Sequence, residues 1–140
     1  MRLDLYQAET ALIAQEQSSL LNEARNILIT GASLSRLEQN GVLHALQVLV
    51  ENAVGKSKQL LKATGKQVPL SAYDSFLCLA ELGFVKSSEL PAWNAAIGLR
   101  NRIVHDYMNI DMVRVLELVK KEQYRFITDF LLAPMAVSTE

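Results

Sequence analysis

Apolar residues recur at helical spacing along almost the whole chain. The first 68 residues hold no proline, and within them Tyr6, Ile13, Leu20 and Ile27 repeat every seven, with Thr10, Gln17 and Ala24 between. This predicts one long first helix ending near Thr30-Gly31, where a glycine suits the residue after a helix C-terminus. Ser35-Arg36-Leu37-Glu38 fits a capping box, in which Ser35 takes an orphan amide and Glu38 reaches back. Leu43, Leu46, Val50, Ala53, Ser57 and Leu60 then step by three or four, predicting a second long helix that stops at Thr64-Gly65. Val48-Leu49-Val50 has strand character, but the sustained 3.6-residue period around it outweighs three residues.

Lys66 to Leu70, with Pro69, is a connector. Ser71 is a good N-cap for a short third helix from Ala72 to Leu82, closed by Gly83. Ser88 is a candidate cap for the fourth, with Pro91 tolerated in its first turn. Asn109 or Asp111 opens a fifth, in which Met112, Leu116, Val119, Phe126 and Phe130 lie close to one face, and Pro134 ends it. Five helices with short connections predict an all-α, up-and-down bundle over residues 1–132, followed by a flexible tail at 133–140.

The fourth helix departs from a simple inside–outside pattern. At 100° per residue, Trp93, Ile97, Arg100, Val104 and Tyr107 form one stripe. Ala92, Ala96, Leu99 and Ile103 form a second apolar stripe beside it, and Asn94, Gly98, Asn101 and His105 a third, small and polar. A guanidinium embedded in such a surface needs an internal acid, a subunit contact or an anionic ligand. Gly98 costs about 1 kcal/mol against alanine in a helix interior, which close approach of another backbone would justify. A helix apolar or small around most of its circumference also exceeds what one small bundle can bury, so a homodimer is expected.

Composition narrows the function classes. With 50% hydrophobic and 21% charged residues the chain is globular, and 140 residues suffice for one domain. A net charge of −1 argues against a constitutive nucleic-acid coat, although clustered cations could still make a local phosphate site. One cysteine, Cys78 in an apolar run, excludes an internal disulfide and reads as a buried small hydrophobe. With two histidines, His44 and His105, and no Cys/His cluster, no metal site and no cofactor is expected. Arg2, Asp4 and Glu9 break any signal-peptide pattern, and the longest charge-free run, Gln39 to Val50, is too short to span a bilayer. A cytoplasmic location follows by default. Lys56, Lys58, Lys62 and Lys66 form an acid-free basic stretch that could track an RNA backbone or simply be a solvated helix face. His44 reads as a packed core residue. Glu51 and Asn52 read as suppliers of polar support.

Arg100-Asn101-Arg102-Ile103-Val104-His105-Asp106-Tyr107 resembles the Arg-x4-6-His signature of HEPN domains, and more narrowly the Arg-x4-His-x-Tyr form of the HepT-like (DUF86) toxins. The likeness extends to the Pro69–Leu82 connector and short helix, to Ala96-Ile97-Gly98-Leu99, and to Asn109-Ile110-Asp111. It implies a toxin of a HEPN/nucleotidyltransferase toxin–antitoxin pair, acting as a metal-independent endoribonuclease on RNA. In that family the site lies at a homodimer interface. Arg100 and His105 would be catalytic, with Asn101 and Arg102 in support. Tyr107 would be the residue that the cognate nucleotidyltransferase antitoxin modifies with adenylate. RNA brings its own nucleophile, the 2′-hydroxyl. An imidazole can transfer the proton and a guanidinium fork can hold a phosphate oxygen. Arg100 and His105 are five residues apart, about 140° around an ideal helix. Either the helix ends near Val104 or the cleft is lined by both chains. Two other readings stay open: a non-cleaving HEPN module that docks a nucleotidyltransferase or binds nucleotide, and a plain bundle whose dimer buries Arg100.

Overall fold

The computed structural model describes residues 2–135. Among these, six α-helices account for nearly all regular structure: α1 Leu3–Ile29, α2 Arg36–Ala63, α3 Ala72–Glu81, α4 Leu90–His105, α5 Met112–Lys120 and α6 Arg125–Leu132. Two 3-10 turns, Ser87–Glu89 and Tyr107–Asn109, flank α4. Residues 136–140, most of the expected tail, lie outside the described residues. No described helix is long and apolar enough to cross a membrane.

The long α2 is the central strut, with α1, α3, α4 and α6 all packed on it. Its predicted inward line is the observed one: Leu43, Leu46, Val50, Ala53, Ser57 and Leu60 are all buried. The capping box forms as expected, Glu38 N–H donating to Ser35 Oγ at 3.0 Å and Ser35 N–H to Glu38 Oε1 at 2.7 Å. α1 and α2 end at Gly31 and Gly65, at φ +86° and +77°, where a side chain would be strained. Ser71 caps α3 through Asp74 N–H.

Three expectations need correction. The heptad line on α1 is its interior face only in part: Thr10 and Ala24 are buried and Tyr6, Ile13, Gln17 and Ile27 half-buried, but Leu20 is 46% exposed, and Ala14, Ser18 and Leu21 complete the buried line. Small side chains let α1 approach α5 and α6 closely, and Ser18 finds a partner on α6, its Oγ 2.7 Å from Thr128 Oγ1. Ser88 does not cap α4, because it lies inside the Ser87–Glu89 turn that leads into Leu90. The single fifth helix is two. Glu122 takes a left-handed backbone, φ 57°, and Gln123 N–H folds back to Leu118 O at 2.9 Å. That closes α5 as a glycine would, and a glutamate gives no warning of it.

An aromatic cluster holds α3, α4 and α6 together. Trp93 stacks on Phe76, with centroids 4.1 Å apart, and meets Phe126 and Phe130 edge-on at 4.8 and 5.1 Å. The edge-on contacts suit the ring quadrupoles. They fix the N-terminal half of α4, so its last turns project from a rigid base.

Candidate functional site

Glu51, one of the two expected polar supports, is the internal acid that Arg100 demanded. Arg100 Nη2 and Nε donate to Glu51 Oε2 at 2.7 and 3.1 Å, and Nη1 donates to Asn101 Oδ1 at 3.2 Å. Gln47 Nε2 reaches the other carboxylate oxygen at 3.4 Å. The pair is not sealed: the arginine and glutamate side chains are 30% and 36% exposed. A guanidinium has five N–H donors. Three are engaged among the described residues, leaving one on each terminal nitrogen.

His105 is the last residue of α4 and is exposed. The helix is regular to that point, with Asp106 N–H donating to Arg102 O at 2.8 Å. α4 thus ends one residue past Val104, too late to bring Arg100 and His105 to one side. They leave α4 about 140° apart. Arg102 is exposed and lines a groove of about 830 Å³ between α4 and α5, with Arg114 across from it.

Tyr107 does not return to the Arg100 stripe, because Asp106, at φ −145° and ψ 44°, breaks the helix first. It is 48% exposed, and its hydroxyl donates to Asn40 Oδ1 on α2. Packing toward Trp93 is ruled out, since that ring is enclosed by Phe76, Phe126 and Phe130. At Gly98 an added Cβ would meet only Tyr73 Oη, at 3.8 Å, so no neighbour within the chain requires a glycine.

The basic stretch does not act as a unit. Lys56 is buried, 1% exposed, with Nζ on the carbonyls of Phe130 at 2.7 Å, Ala133 at 2.6 Å and Leu131 at 3.4 Å. It caps the C-terminus of α6 and cannot touch RNA. Burial pushes its pKa down to about 8. Lys58 is half-buried, while Lys62 and Lys66 are exposed. His44, expected in the core, is exposed. Asn52 spends its side chain on Val48 O, 2.8 Å away within its own helix. Cys78 is half-buried against the core. Among the described residues no group of three or more His, Cys, Asp or Glu side chains is arranged to hold a metal ion.

The roles of Asn40 and Gln47 went unread in the sequence. A signal exists: Asn40, His44, Gln47 and Glu51 step by four, three and four along α2, a polar line beside the buried one. Its two ends hold Tyr107 and Arg100.

Comparison with known proteins bears on the fold and the family. An Archaeoglobus fulgidus protein named "Putative RNase" is 32% identical over 85 residues, 61% of this chain, and the match spans 64% of that relative's length. A tri-AMPylated Shewanella oneidensis HEPN toxin, solved in complex with its MNT antitoxin, superposes with a TM-score of 0.75 at 19% identity. It covers 90% of this chain and 96% of its own. A toxin–antitoxin crystal structure with AMP-PNP gives the same TM-score at 17% identity, over 90% and 97% of the two chains. These likenesses establish a shared fold. The HepT-like ribonuclease family matches residues 14–133, a span that takes in Glu51 and the whole Arg100–Tyr107 motif, and the chain belongs to that family.

Proposed function

We propose that this chain is the toxin of a toxin–antitoxin pair, an endoribonuclease that cuts RNA without a metal at a site shared by two copies. The observation that carries this is the state of Arg100. It is anchored by Glu51 and Asn101, half-exposed, and left with two N–H donors, on the same helix as an exposed His105. A fixed fork with spare donors suits the non-bridging oxygens of a phosphodiester as negative charge grows on them. The 2′-oxygen attacks phosphorus, the bond to the 5′-oxygen breaks, and His105 carries a proton for that exchange. The products are a cyclic phosphate and a 5′-hydroxyl. The wide angle between Arg100 and His105 favours a cleft completed by a second protomer. So does Gly98, which faces nothing in its own chain that would exclude a side chain.

An antitoxin is the natural partner, as the Shewanella toxin has its MNT antitoxin, and the family resemblance makes it a nucleotidyltransferase. Its target here would be Tyr107. The half-exposed phenol can attack the α-phosphorus of ATP, losing its proton as pyrophosphate leaves, and the adenylate would then put negative charge beside the RNA site.

The test is cleavage of RNA by the purified protein in the presence of a chelator, with end groups identified. His105→Ala should lose about 10²–10⁴-fold in rate while keeping its helicity. Full activity in that variant, or activity abolished by the chelator, would refute the mechanism. Tyr107→Phe should escape both the added adenylate mass and neutralisation by the partner; persistent neutralisation would assign inhibition to docking alone.

A further inference from the structure

Beside the Arg100 anchor lies a pocket of about 320 Å³ whose lining is chemically mixed. Val54, Ala72, Ile97 and Leu70 supply apolar walls; Glu51, Lys58, Arg100 and Asn101 supply the polar ones. Leu70 is 98% exposed, a large apolar side chain standing in solvent at the pocket rim. Leaving it there costs hydrophobic free energy that a ligand would recover.

The electrostatics of Arg100 make a second demand. Glu51 already neutralises the guanidinium, so an anion docking on the two remaining N–H groups meets a pair of near-zero net charge. Tight binding needs another cation. Lys58 stands seven residues beyond Glu51 on α2, which is within about 20° of the same face and about 10.5 Å further along. Helical side chains tilt toward the N-terminus, so Lys58 leans back toward Glu51. Among the described residues its one hydrogen bond is long, 3.3 Å to Leu70 O, and an ammonium has three donors. Lys56, by contrast, has spent all its bonding capacity on α6.

We propose that this pocket is the subsite for the nucleotide next to the scissile phosphate of RNA. Its base lies on Leu70 and Val54, and Lys58 is a second phosphate ligand beside Arg100. The pocket joins apolar walls to two cations, which fits a nucleotide, apolar on its faces and anionic at its phosphate, better than a purely apolar protein segment. The proposal rests on the RNA-cleaving reading above and adds the residues that hold substrate on one side of the cut.

The experiment is RNA binding by the His105→Ala protein, using a fluorescein-labelled single-stranded RNA oligonucleotide of mixed sequence. Adding Lys58→Gln should raise Kd about tenfold and flatten the plot of log Kd against log salt by about 0.7, one phosphate contact on a single strand. The bond to Leu70 O is long and solvent-exposed, so its loss should leave the thermal midpoint nearly unchanged. Lys58→Arg should keep both affinity and salt slope. Leu70→Ser should weaken binding with the slope unchanged. Parental affinity and slope in Lys58→Gln would overturn the subsite while leaving the nuclease reading intact. Equal losses in Lys58→Arg and Lys58→Gln would assign Lys58 a structural role and overturn it too. No saturable RNA binding by the His105→Ala protein would refute the RNA reading itself, and the subsite with it.

Discussion

Lys56 and Arg100 each place a full positive charge against an apolar helix-packing surface, and each finds partners within the chain. Lys56 is enclosed, and its three donors match three carbonyls at the end of α6. Those carbonyls are the orphans of a helix C-terminus, where the dipole also favours a cation. The ring of Phe130 lies 5.2 Å from the same nitrogen. Arg100 is anchored by one carboxylate and one amide, and it keeps donors in reserve at a half-open surface. The contrast separates a cation that holds the fold from one available to a ligand. What divides them is unspent hydrogen-bonding capacity at an exposed edge, and not charge or burial alone.

Substitution should pull the two apart. The largest expected effect is on chemistry: Arg100→Met should lower RNA cleavage about 10²–10³-fold, the usual loss for one donor to a developing anion. Its thermal midpoint should hardly move, because the half-exposed Glu51 can turn to water. A midpoint collapse with cleavage retained would make Arg100 the structural cation after all. Next is Lys56→Met, which strands buried carbonyls of α6 and should cost about 2–3 kcal/mol of stability, seen in chemical denaturation. RNA affinity of the folded protein should be unchanged; weakened binding would link the two regions.

Gly98→Leu should come third, weakening self-association about tenfold with little change in the folded monomer. Light scattering over a concentration series checks this, and a wild type that stays monomeric at micromolar concentration would break the shared-site model. The smallest effect is on pH. The Lys56 pKa falls from 10.5 to about 8 on folding, so between those values the unfolded chain binds more protons than the folded one. Stability carried by this residue therefore rises with pH across that window. Lys56→Met should lack the rise, and the difference between the two denaturation profiles isolates it from titrating tyrosines.

Much of this molecule was legible in the amino-acid order. α2 could be read to within a residue or two, because its caps, its stopping glycine and its buried line are local features with a strong period. Arg100 was legible for a different reason: an arginine on an apolar stripe conflicts with its surroundings wherever the helix packs. His105 and Tyr107 stood out only through the family resemblance. The break between α5 and α6 was not legible. A glutamate in left-handed backbone holds that shape only because the packed helices on either side impose it.

The sequence by itself determined where helices start and stop when caps and glycines mark them, and which side chain could not be left without a partner. Only the tertiary structure decided which lysine is buried, which acid meets Arg100, and which neighbour Tyr107 touches. Lys56 and Lys58 are two residues apart and chemically identical, about 200° around one helix. Nothing in their local sequence distinguishes them. Their different roles come from what stands opposite, the carbonyls of α6 in one case and an open pocket in the other, supplied by chain up to 77 residues away.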